Sequence, residues 1–239
     1  MLKTTIEHVT QISFLPRLFP VNVYLVEEND GLTLIDAGMS FSQKGILQAA
    51  SAIGKPITRI VLTHAHGDHV GALDGLKKEL PDASVYISRR DALLLKGNTE
   101  LLPGEQQTPI RGGIPKNITT VPDVLLSGGD SIGSLKAIAS PGHTPGHMAF
   151  LDERSGILIA GDAWLTRGGL AVSGMLNPLF PFPAMATWSK EHSLQSATSL
   201  TALKPAVLAV GHGKMLTNPT ASMQQAVTQA ESAFRRNTK

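Results

Sequence analysis

Two stretches of the chain share one pattern of apolar and polar positions. Residues 23–36 read as two strand-like runs, Val23-Tyr24-Leu25-Val26 and Leu32-Thr33-Leu34-Ile35, around an Asn29-Asp30-Gly31 turn, and residues 148–162 repeat the plan around Ser155-Gly156. Both predict β-hairpins that run on to an aspartate, Asp36 or Asp162. A segment of helical character follows each hairpin, residues 43–53 and 184–203, and then a short buried-type strand, residues 60–63 and 206–211, that leads into His64 or His212. The order hairpin, aspartate, helix, strand, histidine therefore occurs twice. It predicts an α/β fold of two related halves packed face to face, their strand ends at one shared edge. The competing account is that short hairpins recur by chance in any α/β chain. Further strands are predicted over residues 84–88, 124–126, 131–135 and 136–140, each bounded by Gly, Pro or Asp. Residues 69–80 place apolar side chains at 70, 73, 76 and 80, a helical spacing. Residues 97–121 and 166–183 lack periodicity and are rich in Gly and Pro, which suits functional loops.

Candidate chemistry concentrates where the first strand meets its helix. The hexapeptide His64-Ala65-His66-Gly67-Asp68-His69 holds four metal-competent side chains in six positions. An extended segment points i and i+2 the same way, so His64 and His66 can reach one ion together; Gly67 permits a sharp turn, and Asp68 and His69 open the following helix. A lone Asp here would be read as a helix N-cap and a lone His as a solvated or hydrogen-bonded residue. Four together have little structural use without a metal. Three more candidates, His143, Asp162 and His212, follow glycine at strand or turn ends. By coordination arithmetic His64, His66 and His143 give one ion three imidazoles, Asp68, His69 and His212 give a second ion two imidazoles and a carboxylate, and Asp162 bridges. A shared water or hydroxide then leaves each ion the open position expected of catalytic zinc. His8, His147 and His192 are left over.

Composition narrows the partners. The chain has 239 residues, 42% of them hydrophobic, enough for a substantial core. A net charge of +2 with 17% charged residues leaves no electrostatic footprint for nucleic acid. With no cysteine, disulfides, thiolate ligands and a cysteine nucleophile are excluded, so any metal relies on imidazole and carboxylate. The first 28 residues lack the unbroken apolar run of a secretory signal, and no run is long enough to span a bilayer; the expectation is a cytoplasmic protein with no membrane partner.

The hexapeptide matches the H-x-H-x-D-H motif, and with Asp36, His143, Asp162 and His212 in order the sequence resembles the metallo-β-lactamase fold superfamily from Val21 to about Met215. The resemblance implies an αββα sandwich of two related halves, forming one domain over residues 1–239. It also implies two zinc ions, with iron or manganese as alternatives. Asp36 would orient a metal-bound histidine or serve as a strand-end turn residue. The pattern is most similar to glyoxalase II, the N-acyl-homoserine lactonases and related bacterial metallo-hydrolases. It departs from them in lacking a tyrosine shortly after Asp162 and an extended helical domain after His212. The implied function is dinuclear hydrolysis, a bridging hydroxide attacking the ester, lactone or thioester carbonyl of a small, partly apolar substrate. Asp68 or a metal-bound water would protonate the leaving group, and Asp162 would hold the two ions together. Runner-up readings are a single-iron persulfide dioxygenase, or a β-lactam or phosphodiester hydrolase on the same site. Between Trp164 and Trp188 lies a bulky apolar stretch that includes Leu165, Leu170, Met175, Leu176, Phe180, Phe182 and Met185. It is read as a substrate-facing wall, a homodimer contact or core packing. Arg111, Lys116, Arg167, Lys190 and Lys214 are available to meet a carboxylate, with solvated surface as the expected place of each.

Overall fold

Alternation of side chains along the strands divides the apolar residues into three layers. The computed structural model describes residues 1–236. In it, seven strands form one sheet in chain order: β1 (Leu2–Ile6), β2 (Val9–Phe14), β3 (Val21–Glu28), β4 (Gly31–Ile35), β5 (Ile57–Val61), β6 (Ser84–Ser88) and β7 (Val124–Leu126). A second sheet begins with β8 (Ser131–Ile132), β9 (Leu135–Ala139), β10 (Met148–Asp152) and β11 (Ile157–Ile159). After a small ribbon of β12 (Trp164–Leu165) and β13 (Ala171–Val172), β14 (Val207–Ala209) and β15 (Leu216–Thr217) complete that sheet in the order β15-β14-β11-β10-β9-β8. Helices α1 (Gln43–Ile53), α2 (Gly67–Val70), α3 (Leu73–Glu79) and α4 (Asp91–Leu95) belong to the first half, and α5 (Phe182–Ala186), α6 (Lys190–Ala202) and α7 (Thr220–Arg236) to the second.

Val23, Leu25, Leu34 and Ile60 pack outward with Ile46, Leu73 and Leu76 of α1 and α3. Their neighbours Tyr24, Val26, Ile35 and Val61 pack inward on Phe150, Ile157, Ile159, Val207 and Ala209 of the second sheet. On the far side of that sheet, Ala149, Leu158 and Leu208 meet Ala197, Leu200, Met223 and Ala230 of α6 and α7. Period-2 strands buried on both faces thus generate the αββα sandwich, and each fully buried Leu or Ile contributes roughly 1.5–3 kcal/mol to it.

The duplication is visible in the pairing. Tyr24 lies opposite Ile35 in the antiparallel β3–β4 hairpin, and β4 then pairs in parallel with β5 across α1. Phe150 lies opposite Ile159 in the antiparallel β10–β11 hairpin, and β11 pairs in parallel with β14 across the long connection containing α6. Parallel neighbours end at the same edge, so the residues following β4, β5, β11 and β14 gather there: Asp36, the His64–His69 segment, Asp162 and His212.

Three expected elements differ in detail, and one hairpin is unexpected. The helix over 69–80 is interrupted between α2 and α3, because the Gly71 amide donates to Gly38 O at 2.7 Å instead of continuing the helical ladder. A Cβ at Gly71 would lie 2.6 Å from the Ser40 nitrogen, so the close approach requires glycine. Residues 184–203 split into α5 and α6, since the Trp188 and Ser189 amides donate to His143 O and Gly142 O at 3.0 and 2.9 Å. The strand over 131–135 is a turn at Gly133-Ser134, with Leu135 opening β9. Strands β1 and β2, which the periodicity did not predict, form an N-terminal hairpin in which Thr10, Gln11 and Ser13 are buried. No helix among the described residues is long and apolar enough to cross a membrane.

Candidate metal centre

The segment that leaves β5 hangs from two buried carboxylates. Asp36 Oδ1 accepts from the Thr63 amide at 2.8 Å, and Asp91 Oδ2 accepts from the Ala65 amide at 3.0 Å. With the backbone extended, His64 and His66 project together, ring centroids 4.8 Å apart. His143 joins them from the β9–β10 loop, and one ligand atom from each of the three falls within 4.8 Å of the others. Asp68 and His69 on α2 form an equivalent group with His212, which follows β14. Asp162 stands between the groups: Oδ2 is 3.3 Å from His143 Nε2 and 3.1 Å from His212 Nε2, and Oδ1 is 3.4 Å from His69 Nε2. All seven residues singled out in the sequence therefore converge. A Cβ at Gly211 would lie 2.0 Å from Asp162 Oδ1, which explains the glycine before His212.

Each imidazole uses its outer nitrogen to donate away from the centre. His66 Nε2 donates to Arg111 O at 2.9 Å and His212 Nδ1 to Pro20 O at 2.6 Å; a carbonyl only accepts, so these nitrogens carry the hydrogen. His69 Nδ1 donates to Asp36 Oδ2 at 2.8 Å. Thr63 Oγ1 donates to the same oxygen at 2.8 Å and accepts from His64 Nδ1 at 3.0 Å. The inner nitrogens are left facing one another and the carboxylates. His64 Nε2, His69 Nε2 and Asp162 Oδ1 are buried there without a hydrogen-bond partner. Buried polar atoms are rarely left so, and three at one point fit a divalent cation held by nitrogen and oxygen donors.

Electrostatics agree with that fit. Burial drives His64, His66 and His143 below the ordinary imidazole value, keeping them neutral as ligands must be. Burial also opposes charge on His69, but Asp162, Asp68 and Asp36 outweigh it and push its pKa up to about 10. His212 is raised in the same way, against its burial, by Asp162 and Asp68. Against its own burial, the Asp162 carboxyl is held well below its usual range, chiefly by His212 and His69. Three carboxylates at one centre call for positive charge, which metal ions would supply with release of the histidine protons.

The centre opens into a cavity of about 340 Å³. His66, Asp68, His143, Asp162 and His212 form its floor, and Phe19, Met39, Phe182, Met185 and Ala186 contribute apolar wall. No lysine or arginine among the described residues lines it, and Arg111, Lys116, Lys190 and Lys214 are exposed as expected, with Arg167 half-buried. The apolar stretch from Trp164 to Trp188 divides. Trp164, Leu165, Phe180 and Trp188 are buried, Leu170 and Met175 pack against the outer core, and Leu176, Phe182 and Met185 are exposed. Trp188 does not line the cavity; its Nε1 donates to Thr108 O at 3.0 Å and its ring stacks on His192.

Two contributors escaped sequence reasoning. His147 Nε2 accepts from the Asp162 amide at 3.1 Å while Nδ1 donates to Ser140 Oγ at 2.8 Å, fixing the loop that presents Asp162. Burial, reinforced by His69 and His66 and opposed by Asp162, lowers its pKa to about 3, so it remains a neutral acceptor. The repeated Pro-Gly-His triplet at 141–143 and 145–147 was the available signal. Asp91 joins the His64–His66 segment to the His143 loop by also accepting from Thr144 Oγ1 and the Gly146 amide, at 2.7 and 2.8 Å. Nothing in its local sequence marks it.

Residues 16–212 match the Metallo-beta-lactamase superfamily. The Bacillus subtilis (strain 168) protein YobT is 57% identical over 228 residues, covering 95% of this chain and 98% of YobT. From the same organism, the probable metallo-hydrolase YflN is 30% identical, covering 82% of this chain and 81% of its own. Among solved structures, TTHA1623 in a di-iron-bound form superposes with a TM-score of 0.66 at 29% identity, over 89% of this chain and 96% of that one.

Proposed function

Because the chain belongs to the metallo-beta-lactamase superfamily, we propose that it is a dinuclear metal-dependent hydrolase of ester, lactone or thioester bonds. His64, His66 and His143 would hold one ion, Asp68, His69 and His212 the other, and Asp162 both. The observation that carries this reading is the common inward exposure of buried donor atoms, with the outer imidazole nitrogens engaged elsewhere. Zinc suits the nitrogen and carboxylate donors, with iron or manganese as alternatives. When bound, such ions supply Lewis acidity toward a carbonyl and lower the pKa of water from 15.7 to about 7.

The chain's own residues do the rest. Asp36 and Thr63 hold His69 and His64 in the tautomers that leave Nε2 free, and His147 holds the Asp162 loop. Asp68, a quarter exposed at the cavity floor, would carry a proton to the departing oxygen or sulfur. Phe19, Phe182 and Met185 would receive an apolar acyl group. Since no lysine or arginine among the described residues lines the cavity, an uncharged acyl portion suits it better than a phosphodiester.

Metal analysis of protein purified without chelator, followed by assay against lactones, thioesters, aryl esters, β-lactams and phosphodiesters, tests the reading. Two ions per chain and turnover of a carbonyl ester class are expected. Asp162→Ala should lose both ions, whereas His212→Ala should keep the ion of His64, His66 and His143. One iron per chain with persulfide-dependent oxygen uptake would overturn it, because that chemistry leaves His69 and His212 without a metal.

A further inference from the structure

His143 reaches the centre through a chain of hydroxyls that has only one direction. Thr187 Oγ1 lies 2.7 Å from Pro183 O, and a carbonyl can only accept, so the single Thr187 proton is committed there. Ser173 Oγ, 2.9 Å from Thr187 Oγ1, must then donate to it. His143 Nδ1, 3.1 Å from Ser173 Oγ and 3.4 Å from Thr187 Oγ1, meets only oxygens whose protons are already spent, and must itself be the donor. His143, Ser173 and Thr187 are all buried, so a link left without its partner costs the desolvation of that group.

We propose that Ser173 and Thr187 are positioning residues: their one-way relay locks His143 in the Nδ1–H tautomer, turns Nε2 to the metal, and ties that ligand to the helix walling the cavity. The relay ends on Pro183 of α5, the helix whose Phe182, Met185 and Ala186 line the cavity. A second tie runs alongside it, from the Trp188 amide to His143 O at 3.0 Å. At the relay's middle, the Ser173 amide donates to Ala163 O at 3.1 Å, next to Asp162. The first ligand group, the bridging aspartate and the acyl wall are therefore joined by one buried network.

This inference rests on the reading of His143 as a metal ligand, and its test separates the two. Nitrogen-coupled NMR of the metal-free wild-type protein should show His143 as the Nδ1–H tautomer, with the Nε2–H form growing in for Ser173→Ala and Thr187→Val. In zinc competition titrations, the binding step that His143→Ala abolishes should weaken roughly 10–100-fold in either variant. The other step should be unchanged, and Thr187→Ser should restore wild-type behaviour. Thr187→Val frees the Ser173 proton to point at Nδ1, whereas Ser173→Ala leaves Thr187 Oγ1 at 3.4 Å as a weaker acceptor, so Thr187→Val should be the larger change and adding Ser173→Ala to it should cost no more. A wild-type Nε2–H tautomer, or variants that bind zinc as wild type does, would overturn the relay. Wild-type protein that binds no zinc would instead sink the ligand assignment, while the tautomer measurement still decides the relay.

Discussion

Asp91 is a carboxylate shared by two loops and sealed from water. Burial raises its pKa from the ordinary 3.8 to about 6, against the pull of the donors Thr144, Ala65 and Gly146. The folded chain therefore holds this proton more tightly than the unfolded chain. The associated stability is fully present below about pH 4 and is lost as pH rises through about 6, a difference of roughly 3 kcal/mol. Asn at this position cannot ionise. Denaturant unfolding of wild type and Asp91→Asn at several pH values should show the wild-type advantage shrinking by about that amount between pH 4 and 6.5. A pH-independent difference would mean that Asp91 titrates alike in both states. The residue also marks the boundary of what the sequence discloses. His64, His66, Asp68 and His69 stand within six positions and announce shared chemistry, whereas Asp91 acts on Ala65, Thr144 and Gly146, up to 55 residues away along the chain. Such a partnership exists only once both loops are folded. The role of His147 is hidden in the sequence for a related reason: its partner is a backbone amide, which no sequence motif displays.

Elements with a local cause were legible, and those shaped by distant hydrogen bonds were not. The β3–β4 and β10–β11 hairpins follow from turn residues between alternating strands. The β1–β2 hairpin turns through Glu7, which holds a left-handed φ of 51° without glycine, and the buried Gln11 satisfies its amide on Tyr24 Oη and Gly213 O at 3.0 Å. Its polar residues therefore read as exposed when they are not. The break between α5 and α6 separates two environments that an unbroken helix would merge. Phe182, on α5, is half exposed over the cavity, while Trp188, within the break, is packed and hydrogen-bonded. Phe182→Ala should shift the preference between short and long acyl substrates, with metal content intact, by an amount comparable to the roughly 1–3 kcal/mol that one methylene is worth in an apolar pocket. Trp188→Ala should lower thermal stability and reduce turnover of all substrates alike, at a cost of about 3–5 kcal/mol for an aromatic truncated in a core. Unchanged chain-length preference in a well-folded Phe182 variant would move the acyl contact to Phe19 and Met39.

Across the whole molecule, the centre lies on the seam between the two related halves. The first half supplies His64, His66, Asp68 and His69, and the second supplies His143, Asp162 and His212. Hydrogen bonds already cross the seam beside them: Tyr24 Oη and Asn22 Nδ2 donate to Val210 O at 2.6 and 2.7 Å, and the Met148 amide donates to Thr63 O at 2.8 Å. Metal ions bound here would fasten the sheets to each other, so their binding energy would appear as stability of the folded chain. At 100 times its dissociation constant, an ion that binds only the folded state contributes about 2.7 kcal/mol. For a chain of this size that corresponds to a melting temperature roughly 5–10 °C higher. Chelation should reverse the shift, and readdition of zinc should restore it. Because the ligands come from both halves, amide exchange should slow together on metal binding in the segment after β5 and in the segment after β14. An unchanged melting temperature, or protection confined to one half, would show that the ions do not clamp the seam. The joint would then rest on the hydrogen bonds and the apolar layer between the sheets alone.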